Sequence, residues 1–193
     1  MQELLPRLRL DAGAPLPAGP LWLEIGFGGG EHLAWQAARN PDATLIGCEV
    51  YRNGIAALLA QIDREGLANI RIWPEDARDL LDRLPDASID RAFLLFPDPW
   101  PKTRHAERRF VAGTNLDALA RILKPGAALR VATDDPVYLR WTLELLPVHP
   151  AFRWQVAGPA DWRQRPTDWP ATRYERKALA AGRKPAYLRF SRI

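Results

Sequence analysis

The stretch that decides the fold is LWLEIGFGGG, residues 21–30, in which a short apolar run ends in four glycines. Residues 21–26 read as a β-strand, because apolar runs this short that end at a turn are typical of buried strands. The glycines let the backbone turn and approach a ligand closely. In open parallel sheets ligands bind at this edge, where the following helix also presents free amides. The stretch therefore predicts the first strand of an α/β sheet with a ligand-binding turn.

Strand-like and helix-like segments alternate after this turn. Strands are predicted at residues 21–26, 44–50, 69–73, 89–96 and 127–133, and helices at 31–39, 51–65, 78–84, 108–123 and 136–146. Such alternation is typical of a parallel sheet. Residues 152–156 and 186–191 alternate more like antiparallel edge strands. We expect an α/β, Rossmann-like fold: a mostly parallel seven-stranded sheet with helices on both faces and an antiparallel C-terminal edge.

The length of 193 residues, 47% of them hydrophobic, allows one domain with a sizeable core and is short for two. Residues 1–20 lack the apolar segment of a secretory signal and are expected to form a flexible N-terminal arm. Residues 21–193 are expected to form a single domain. Within it, residues 157–185 are rich in Pro, Trp and Arg and read as a substrate-binding insertion, because long loops in compact domains usually carry function.

Several classes of protein are disfavoured by composition. No apolar stretch approaches the roughly 18 residues that a membrane span needs, so no membrane association is expected. The single cysteine, Cys48, excludes a disulfide within the chain, suits a cytoplasmic location and is expected to be a buried, inert thiol. Three histidines and one cysteine show no metal-ligand spacing, so no metal is expected. Monomer and homodimer both stay open.

Basic residues concentrate in two clusters, at 102–109 and 173–184, in a chain of net charge +4. The clusters would form one phosphate-binding face if folding brings them together. Composition alone favours the alternative of two solvated surfaces.

The spacing of the glycines favours one ligand class. The dinucleotide pattern G-x-G-x-x-G would place its third glycine at position 31, which is Glu31. The pattern Gly26-x-Gly28-x-Gly30 better fits the turn of a methyltransferase, whose ligand S-adenosylmethionine has no pyrophosphate to cradle.

Carboxylates stand in or at the end of the first three predicted strands. Glu49 can accept hydrogen bonds from both ribose hydroxyls of an adenosine, or it is a surface acid. Asp76 can take the adenine amino group or cap the next helix. Glu24 can hold the amino group of the ligand's methionine part or brace the glycine turn.

The segment FPDPWPK, residues 96–102, follows the fourth predicted strand. Its three prolines fix φ angles and make the loop rigid around Asp98, Trp100 and Lys102. A proline-rich turn with an exposed acid is the alternative, but a rigid loop around a charge at the ligand edge indicates preorganisation. Trp100 would either stack on a base or pack within the loop.

These segments together closely resemble the bacterial tRNA (guanine-N7-)-methyltransferase family, a family of class I S-adenosylmethionine-dependent methyltransferases. The resemblance covers about residues 21–192 and rests on five segments, at 23–28, 96–102, 104–109, 132–134 and 172–177. It implies the class I methyltransferase fold, S-adenosyl-L-methionine as cofactor, and tRNA as partner. The implied reaction is methyl transfer to N7 of a guanosine, in the variable loop.

The resemblance also implies roles for individual residues. Asp98 would be the active-site acid. The cofactor-binding residues would be Glu24, Gly26, Gly28, Glu49, Asp76 and Asp98. The substrate-binding residues would be Lys102, Asp134, Thr172, Arg173, Tyr174 and Glu175, and the RNA-binding residues Arg104, His105, Arg108 and Arg109. The spacing of Thr172 and Glu175 is also that of a helix capping box.

Guanine N7 has a lone pair and no proton to lose, so the reaction depends on proximity and electrostatics rather than on a strong base. N7 faces the deep major groove of paired RNA, so an exposed or flipped guanine is expected. Alternatives are an NAD(P)-dependent oxidoreductase, a non-catalytic RNA-binding module, and a methyltransferase with another substrate.

Overall fold

A computed structural model of the chain describes residues 4–193. Its strands are β1 (Leu21–Ile25), β2 (Thr44–Cys48), β3 (Ile70–Trp73), β4 (Ile89–Leu95), β5 (Leu123–Thr133), β6 (Phe152–Trp154) and β7 (Ala186–Arg192). They form one seven-stranded sheet in the order β3-β2-β1-β4-β5-β7-β6. Strands β1 to β5 pair in parallel, and β7 is antiparallel to both β5 and β6. The predicted fold class is confirmed.

Helices cover both faces of the sheet. They are α1 (Leu4–Leu8), α2 (Glu31–Arg39), α3 (Arg52–Glu65), α4 (Ala77–Leu81), α5 (Gly113–Ile122), α6 (Pro136–Leu145), α7 (Ala160–Arg163) and α8 (Arg173–Ala180). Apolar residues of α2 and α3 pack on one face of the sheet, and those of α4, α5 and α6 pack on the other. No helix within residues 4–193 combines the length and the apolar character that crossing a membrane requires.

The single helix predicted over residues 108–123 is wrong at its start. Thr103–Arg108 form a 3₁₀ helix, and the backbone of Arg109 is extended, with φ −64° and ψ 137°. Only at Gly113 does α5 begin, and at Leu123 the chain enters β5 rather than at residue 127. The physical reason is that Arg109 binds the preceding loop, as described below, which holds it out of a helix.

Part of the segment expected as a flexible arm packs against the sheet. Leu8 and Leu10 are buried, and Leu10 N donates to the carbonyl of Ile72 at 2.9 Å. Burial of two leucines offsets the entropy that a free arm would keep. Residues 1–3 lie outside the described residues, and the domain boundary at residue 21 stays a prediction.

The order of the strands reverses between β1 and β4, which is where ligands bind in open α/β sheets. The carboxyl ends of β1 and β4 lie side by side there. The 157–185 insertion contains α7 and α8, and its Trp169 packs edge-on against Phe93 of β4 and Tyr187 of β7. The insertion is thereby attached to the sheet next to this point of reversal.

Candidate active site

The glycine turn leads from β1 into α2 through backbone conformations that favour glycine. Gly26, Gly28 and Gly30 have φ angles of 69°, 58° and 77°. A second close approach supports the turn: a Cβ atom on Gly54 of α3 would lie 2.1 Å from the carbonyl oxygen of Gly28. Helix α3 therefore packs directly against the turn, and Gly54 makes this possible.

Glu49 follows β2 and is held in place by three backbone amides. Its carboxylate accepts hydrogen bonds from Gly28 N at 2.7 Å, Val50 N at 2.8 Å and Tyr51 N at 2.9 Å. The side chain is half-buried at the edge of an open cleft of about 480 Å³. Cavities of this size suit a nucleoside-sized ligand. The residues lining the cleft include Gly26, Gly28, Glu49, Asp76, Asp98, Trp100, Arg108 and Tyr174.

Asp76 serves the helix and also faces the cleft. Its side chain accepts from Arg78 N at 2.9 Å and so caps α4, and its other oxygen pairs with the Arg78 guanidinium at 2.9 Å. The capping alternative is thus observed, and the position in the cleft is compatible with the adenine contact as well. Cys48, which precedes Glu49 at the end of β2, is buried as predicted, and this burial raises the pKa of its thiol.

Glu24 takes part in a buried chain of hydrogen bonds that sequence patterns alone do not reveal. A carboxylate oxygen of Glu24 lies 2.7 Å from His32 Nδ1, and both side chains are only 3% exposed. The amide of Gln36 donates to His32 Nε2 at 3.1 Å and to the carbonyl of Asp168 at 2.7 Å. Because Nε2 accepts, the ring proton is on Nδ1 and is donated to Glu24. His32 therefore fixes the orientation of the Glu24 carboxylate.

A small cavity of about 40 Å³ lies beside Glu24 and adjoins the open cleft at Gly26 and Phe96. Thr172, Arg173 and Tyr174, at the start of α8, line its other side. The ring of Tyr174 lies so close to the turn that a Cβ on Gly28 would be 2.8 Å from it. The start of the insertion's helix therefore packs on the glycine turn at Gly28, and Tyr174 lines both the small cavity and the open cleft.

These two cavities fit S-adenosylmethionine in their chemistry. The open cleft offers a fixed carboxylate, Glu49, for ribose hydroxyls, and the small cavity offers Glu24 for an ammonium group. Between them the exposed Gly26, which lines both cavities, leaves the backbone accessible. Within residues 4–193, no three His, Cys, Asp or Glu side chains are grouped to hold a metal ion.

The proline-rich loop is held by an arginine from outside it. The guanidinium of Arg109 donates to the carbonyls of Pro99 at 3.1 Å and Trp100 at 2.9 Å, and it lies over the ring of Trp141 at 4.7 Å. Arg109 is only 4% exposed. Two of its donors are used inside the protein, where Arg109 anchors the loop, and its contact with RNA stays a prediction.

The same loop contains two unusual backbone conformations. Phe96 and Trp100 have φ angles of 50° and 41°, which are costly for side chains of this size. Arg108 lies over the ring of Trp100 at 4.7 Å, and the ring of His105 meets it edge-on at 5.8 Å. Trp100 therefore packs within the loop while it also lines the open cleft.

Asp98 stands where two cavities meet. It is exposed, and it lines both the open cleft and a neighbouring cavity of about 330 Å³. Asp134, Tyr174, Lys177 and Arg183 line that second cavity. One carboxylate therefore faces both the nucleoside-sized cleft and a separate space with mixed charge.

Three of the other residues predicted to bind substrate, Asp134, Lys102 and Thr172, lie in different surroundings. Asp134 lines the second cavity, where it forms an ion pair with Arg183. Lys102 is exposed and outside the cavities described above. Thr172 caps α8 by accepting from Glu175 N at 3.3 Å, as the capping-box spacing predicts.

The side chain of Glu175 points away from the site. It is 4% exposed, accepts from the hydroxyl of Tyr187 at 2.6 Å and pairs with Arg165 at 3.0 Å. The burial of Tyr187 and its hydrogen bond to Glu175 raise the pKa of that tyrosine. In this structure the carboxylate of Glu175 fastens α8 to β7, and its contact with substrate stays a prediction.

The two basic clusters meet around Asp98. From the first cluster, Arg108 lines the open cleft, and Arg104 and the half-buried His105 lie next to it in the 3₁₀ helix. From the second cluster, Lys177 and Arg183 line the neighbouring cavity. The structure therefore favours a shared basic surface over two separate ones.

Several residues of the site were not among those predicted from the sequence, and the signals that could have revealed them differ in strength. Gly54 could have been found, because a glycine inside a helix costs stability and often marks a close approach. Lys177 and Arg183 were recognised only as members of a basic cluster. A lone histidine such as His32 carries no local signal, since its partner Glu24 is on another element.

Comparison with known proteins agrees with this geometry. The family model described as "Putative methyltransferase" matches residues 18–188. A tRNA (guanine-N(7)-)-methyltransferase from Rhodospirillum rubrum is 60% identical over 178 residues, which are 92% of this chain and 70% of that relative. The enzyme of the same name from Roseobacter denitrificans is 57% identical over 186 residues, 96% of this chain and 79% of that relative.

Solved structures with low sequence identity share the fold. An rRNA methylase from Streptococcus thermophilus has a TM-score of 0.62 at 13% identity and covers 99% of this chain and 93% of its own. A SAM-dependent methyltransferase from Aquifex aeolicus has a TM-score of 0.60 at 14% identity, over 100% of this chain and 89% of its own. The close relatives, the matching family model and this fold agree, and the chain belongs to the tRNA (guanine-N(7)-)-methyltransferase family.

Proposed function

We propose that this chain transfers the methyl group of S-adenosyl-L-methionine to N7 of a guanosine in tRNA. The observation that carries the proposal is the position of Asp98, which lines both the open cleft beside the glycine turn and the neighbouring cavity of mixed charge. A methyl donor in the first and a guanine in the second would meet at this carboxylate.

The cofactor would be held by residues around the glycine turn. Glu49 is fixed by three amides and would accept the ribose hydroxyls in the open cleft. Glu24, oriented by His32, would accept from the amino group of the methionine part. Asp76 would accept from the adenine amino group with the carboxylate that also caps α4.

The neighbouring cavity would receive the guanine. S-adenosylmethionine, when bound, supplies a methyl group on a positively charged sulfur. Positive charge develops on the guanine as the methyl arrives, and Asp98 would stabilise that charge or hold the base by its N1–H and amino group. Fixed orientation can supply on the order of 7 kcal/mol of the barrier, so no general base is required. The ion-paired Asp134 and Arg183 offer both an acceptor and a donor to the base.

The tRNA backbone would contact the exposed members of the two basic clusters. Arg104 and Arg108 lie on one side of Asp98, and Lys177 and Arg183 lie on the other. The proposed location is the cytoplasm, because the proposed substrate is tRNA. Both a monomer and a homodimer are compatible with the proposal.

The test is transfer of labelled methyl from S-adenosylmethionine into unmodified tRNA transcripts, followed by aniline cleavage at 7-methylguanosine. The proposal predicts label at one guanosine in the variable loop. Label in rRNA transcripts but not in tRNA would contradict the substrate. Tight binding of a reduced nicotinamide cofactor, followed by its fluorescence, would instead favour the oxidoreductase alternative.

A further inference from the structure

One face of the sheet carries arginines on four neighbouring strands, β4, β5, β7 and β6. Arg130 of β5 lies directly opposite Arg189 of β7, and Arg91 of β4 lies diagonally from Arg130 on the same face. On the next strand, β6, Arg153 pairs with Ser191, two residues from Arg189, and so also points to this face. Helices α2 and α3 cover the β1 to β3 part of the face, whereas the 157–185 insertion borders this arginine part.

This arrangement disfavours the folded state unless something compensates for it. Like charges directly opposite each other in an antiparallel pair are destabilising. The proximity is also seen at Arg91, whose pKa is lowered by burial and by the charges of Arg130 and Arg189. Within residues 4–193, no carboxylate lies within 4 Å of the guanidinium groups of Arg91, Arg153 or Arg189.

Two of these arginines, Arg130 and Arg189, together with Arg165, line an open cavity of about 670 Å³ between β5, β7 and the insertion. Its two carboxylates are already engaged. Asp168 pairs with Arg130 at 2.7 Å, and Asp161 accepts from the amides of Ala157 and Gly158 at 2.6 and 2.8 Å. Arg165 pairs with Glu175 at 3.0 Å, so Arg189 is the lining arginine that has no carboxylate partner among the described residues.

Two buried donors in the wall of this cavity lack an acceptor. Arg130 is 7% exposed, and its Nε has no hydrogen-bond partner among the described residues; the same is true of Nε1 of Trp169, which is 5% exposed. Buried polar groups are nearly always satisfied, so these unpaired donors beside the unpaired Arg189 indicate a missing acceptor. An anionic oxygen is the acceptor that a guanidinium binds best.

We propose that the cavity formed by Arg130, Arg189 and Trp169 binds a phosphate group of the tRNA backbone. This inference rests on the proposed function and adds to it a second anchoring point, apart from the residues around Asp98. The two sites touch through Trp169, whose ring packs edge-on against His32 at 5.6 Å while His32 holds Glu24. RNA bound in the cavity would thus contact the insertion directly behind the cofactor pocket.

The test measures the affinity of the full chain for an unmodified tRNA transcript at several salt concentrations. Arg189→Glu removes an exposed guanidinium and reverses its charge. Arg140→Ala is the control, because Arg140 is an exposed arginine of α6 on the opposite face of the sheet. Arg189→Ala separates removal of the charge from its reversal.

The proposal predicts that Arg189→Ala weakens tRNA binding roughly threefold and Arg189→Glu roughly tenfold. The slope of log affinity against log salt should fall in magnitude by about 0.7–0.9, because one phosphate is no longer neutralised by the protein. Arg189→Glu should also raise Tm by about 1–2 °C, because it places opposite charges across β5 and β7. Affinity for S-adenosylhomocysteine should be unchanged.

A tRNA affinity and salt slope for Arg189→Glu equal to those of Arg140→Ala would overturn the proposal. If the wild-type chain still methylates tRNA in that case, the proposed function stands and only the second phosphate site fails. If the proposed function itself is wrong, the wild-type chain will neither bind nor methylate tRNA.

Discussion

Replacing His32 by leucine tests whether the buried hydrogen-bond chain orients Glu24 for the cofactor. Leucine keeps an apolar side chain against Phe93 and Trp169, on which the imidazole ring packs. It removes the only proton that the 2.7 Å contact gives to the Glu24 carboxylate. Glu24 would stay in a site where it is 3% exposed.

The expected magnitude follows from that geometry. A hydrogen bond to a charged group contributes about 1.5–3 kcal/mol, and a buried acceptor left without a donor forfeits this in full. At about 2–4 °C per kcal/mol for a chain of this size, Tm should fall by roughly 3–12 °C. His149→Leu is the matched control, because the His149 contact with Asp117 is long, at 3.2 Å, and that carboxylate is 77% exposed.

The assay compares two ligands by calorimetry. S-adenosylhomocysteine carries the amino group that Glu24 would bind, and 5′-methylthioadenosine lacks it. His32→Leu should weaken the first by about tenfold, equal to about 1.4 kcal/mol, and leave the second unchanged. His32→Gln, whose amide can donate to Glu24, should recover most of the affinity.

Equal weakening of both ligands by His32→Leu would refute this reasoning, since the effect would then be a general disturbance of the cleft. Unchanged affinity for both would refute it as well, because Glu24 would not need His32 to be correctly placed.

Three further predictions concern parts of the fold that support the site. Gly54→Ala should lower the free energy of unfolding by about 1–3 kcal/mol and weaken cofactor binding, because the alanine Cβ would lie 2.1 Å from the carbonyl oxygen of Gly28. Denaturant titration measures the loss, and Gly113→Ala is the control, because nothing lies within 4 Å of a Cβ at that position. Arg109→Lys should slow methyl transfer about 10²-fold and leave the affinity for S-adenosylhomocysteine unchanged. Lysine lacks the two-donor fork that binds the loop carbonyls, and a shift of about 1 Å in the loop costs about that much in rate. An unchanged rate would show that the loop needs no such anchor. Burial raises the pKa of Tyr138, so the hydroxyl of this tyrosine loses its proton at a lower pH in the unfolded chain than in the folded one. The free energy of unfolding should therefore fall as pH rises above about 10. In Tyr138→Phe that fall should be smaller.

The central strands were predictable from sequence because each is a short apolar run that ends at a turn. The predicted and observed bounds of β1 and β4 differ by one residue at most, at the C-terminal end. The order of the strands across the sheet follows from family resemblance and topology rules rather than from any local pattern. The structure of residues 103–112, before α5 begins, could not be predicted, because nothing in the sequence distinguishes Arg109 from Arg104 and Arg108. The difference is the contact of Arg109 with the loop carbonyls.

The site was predictable to the extent that its residues follow strand ends. Glu49, Asp76 and Asp98 meet in one cleft, as parallel strands bring their carboxyl ends to one edge. Spacing also predicted that Thr172 caps α8. The same spacing could not reveal that Glu175 binds Tyr187 instead of facing the site, because that partner lies on another strand.

The central claim, that Asp98 acts where cofactor and guanine meet, is tested most directly by Asp98→Asn in single-turnover methyl transfer with saturating cofactor and tRNA. Glu107→Gln is the control, because Glu107 is an exposed carboxylate that lies outside the cavities described above. The account predicts a rate about 10²–10³-fold lower for Asp98→Asn, with affinities for S-adenosylhomocysteine and tRNA close to those of the control. A rate equal to that of Glu107→Gln would contradict it, and so would an effect confined to either affinity.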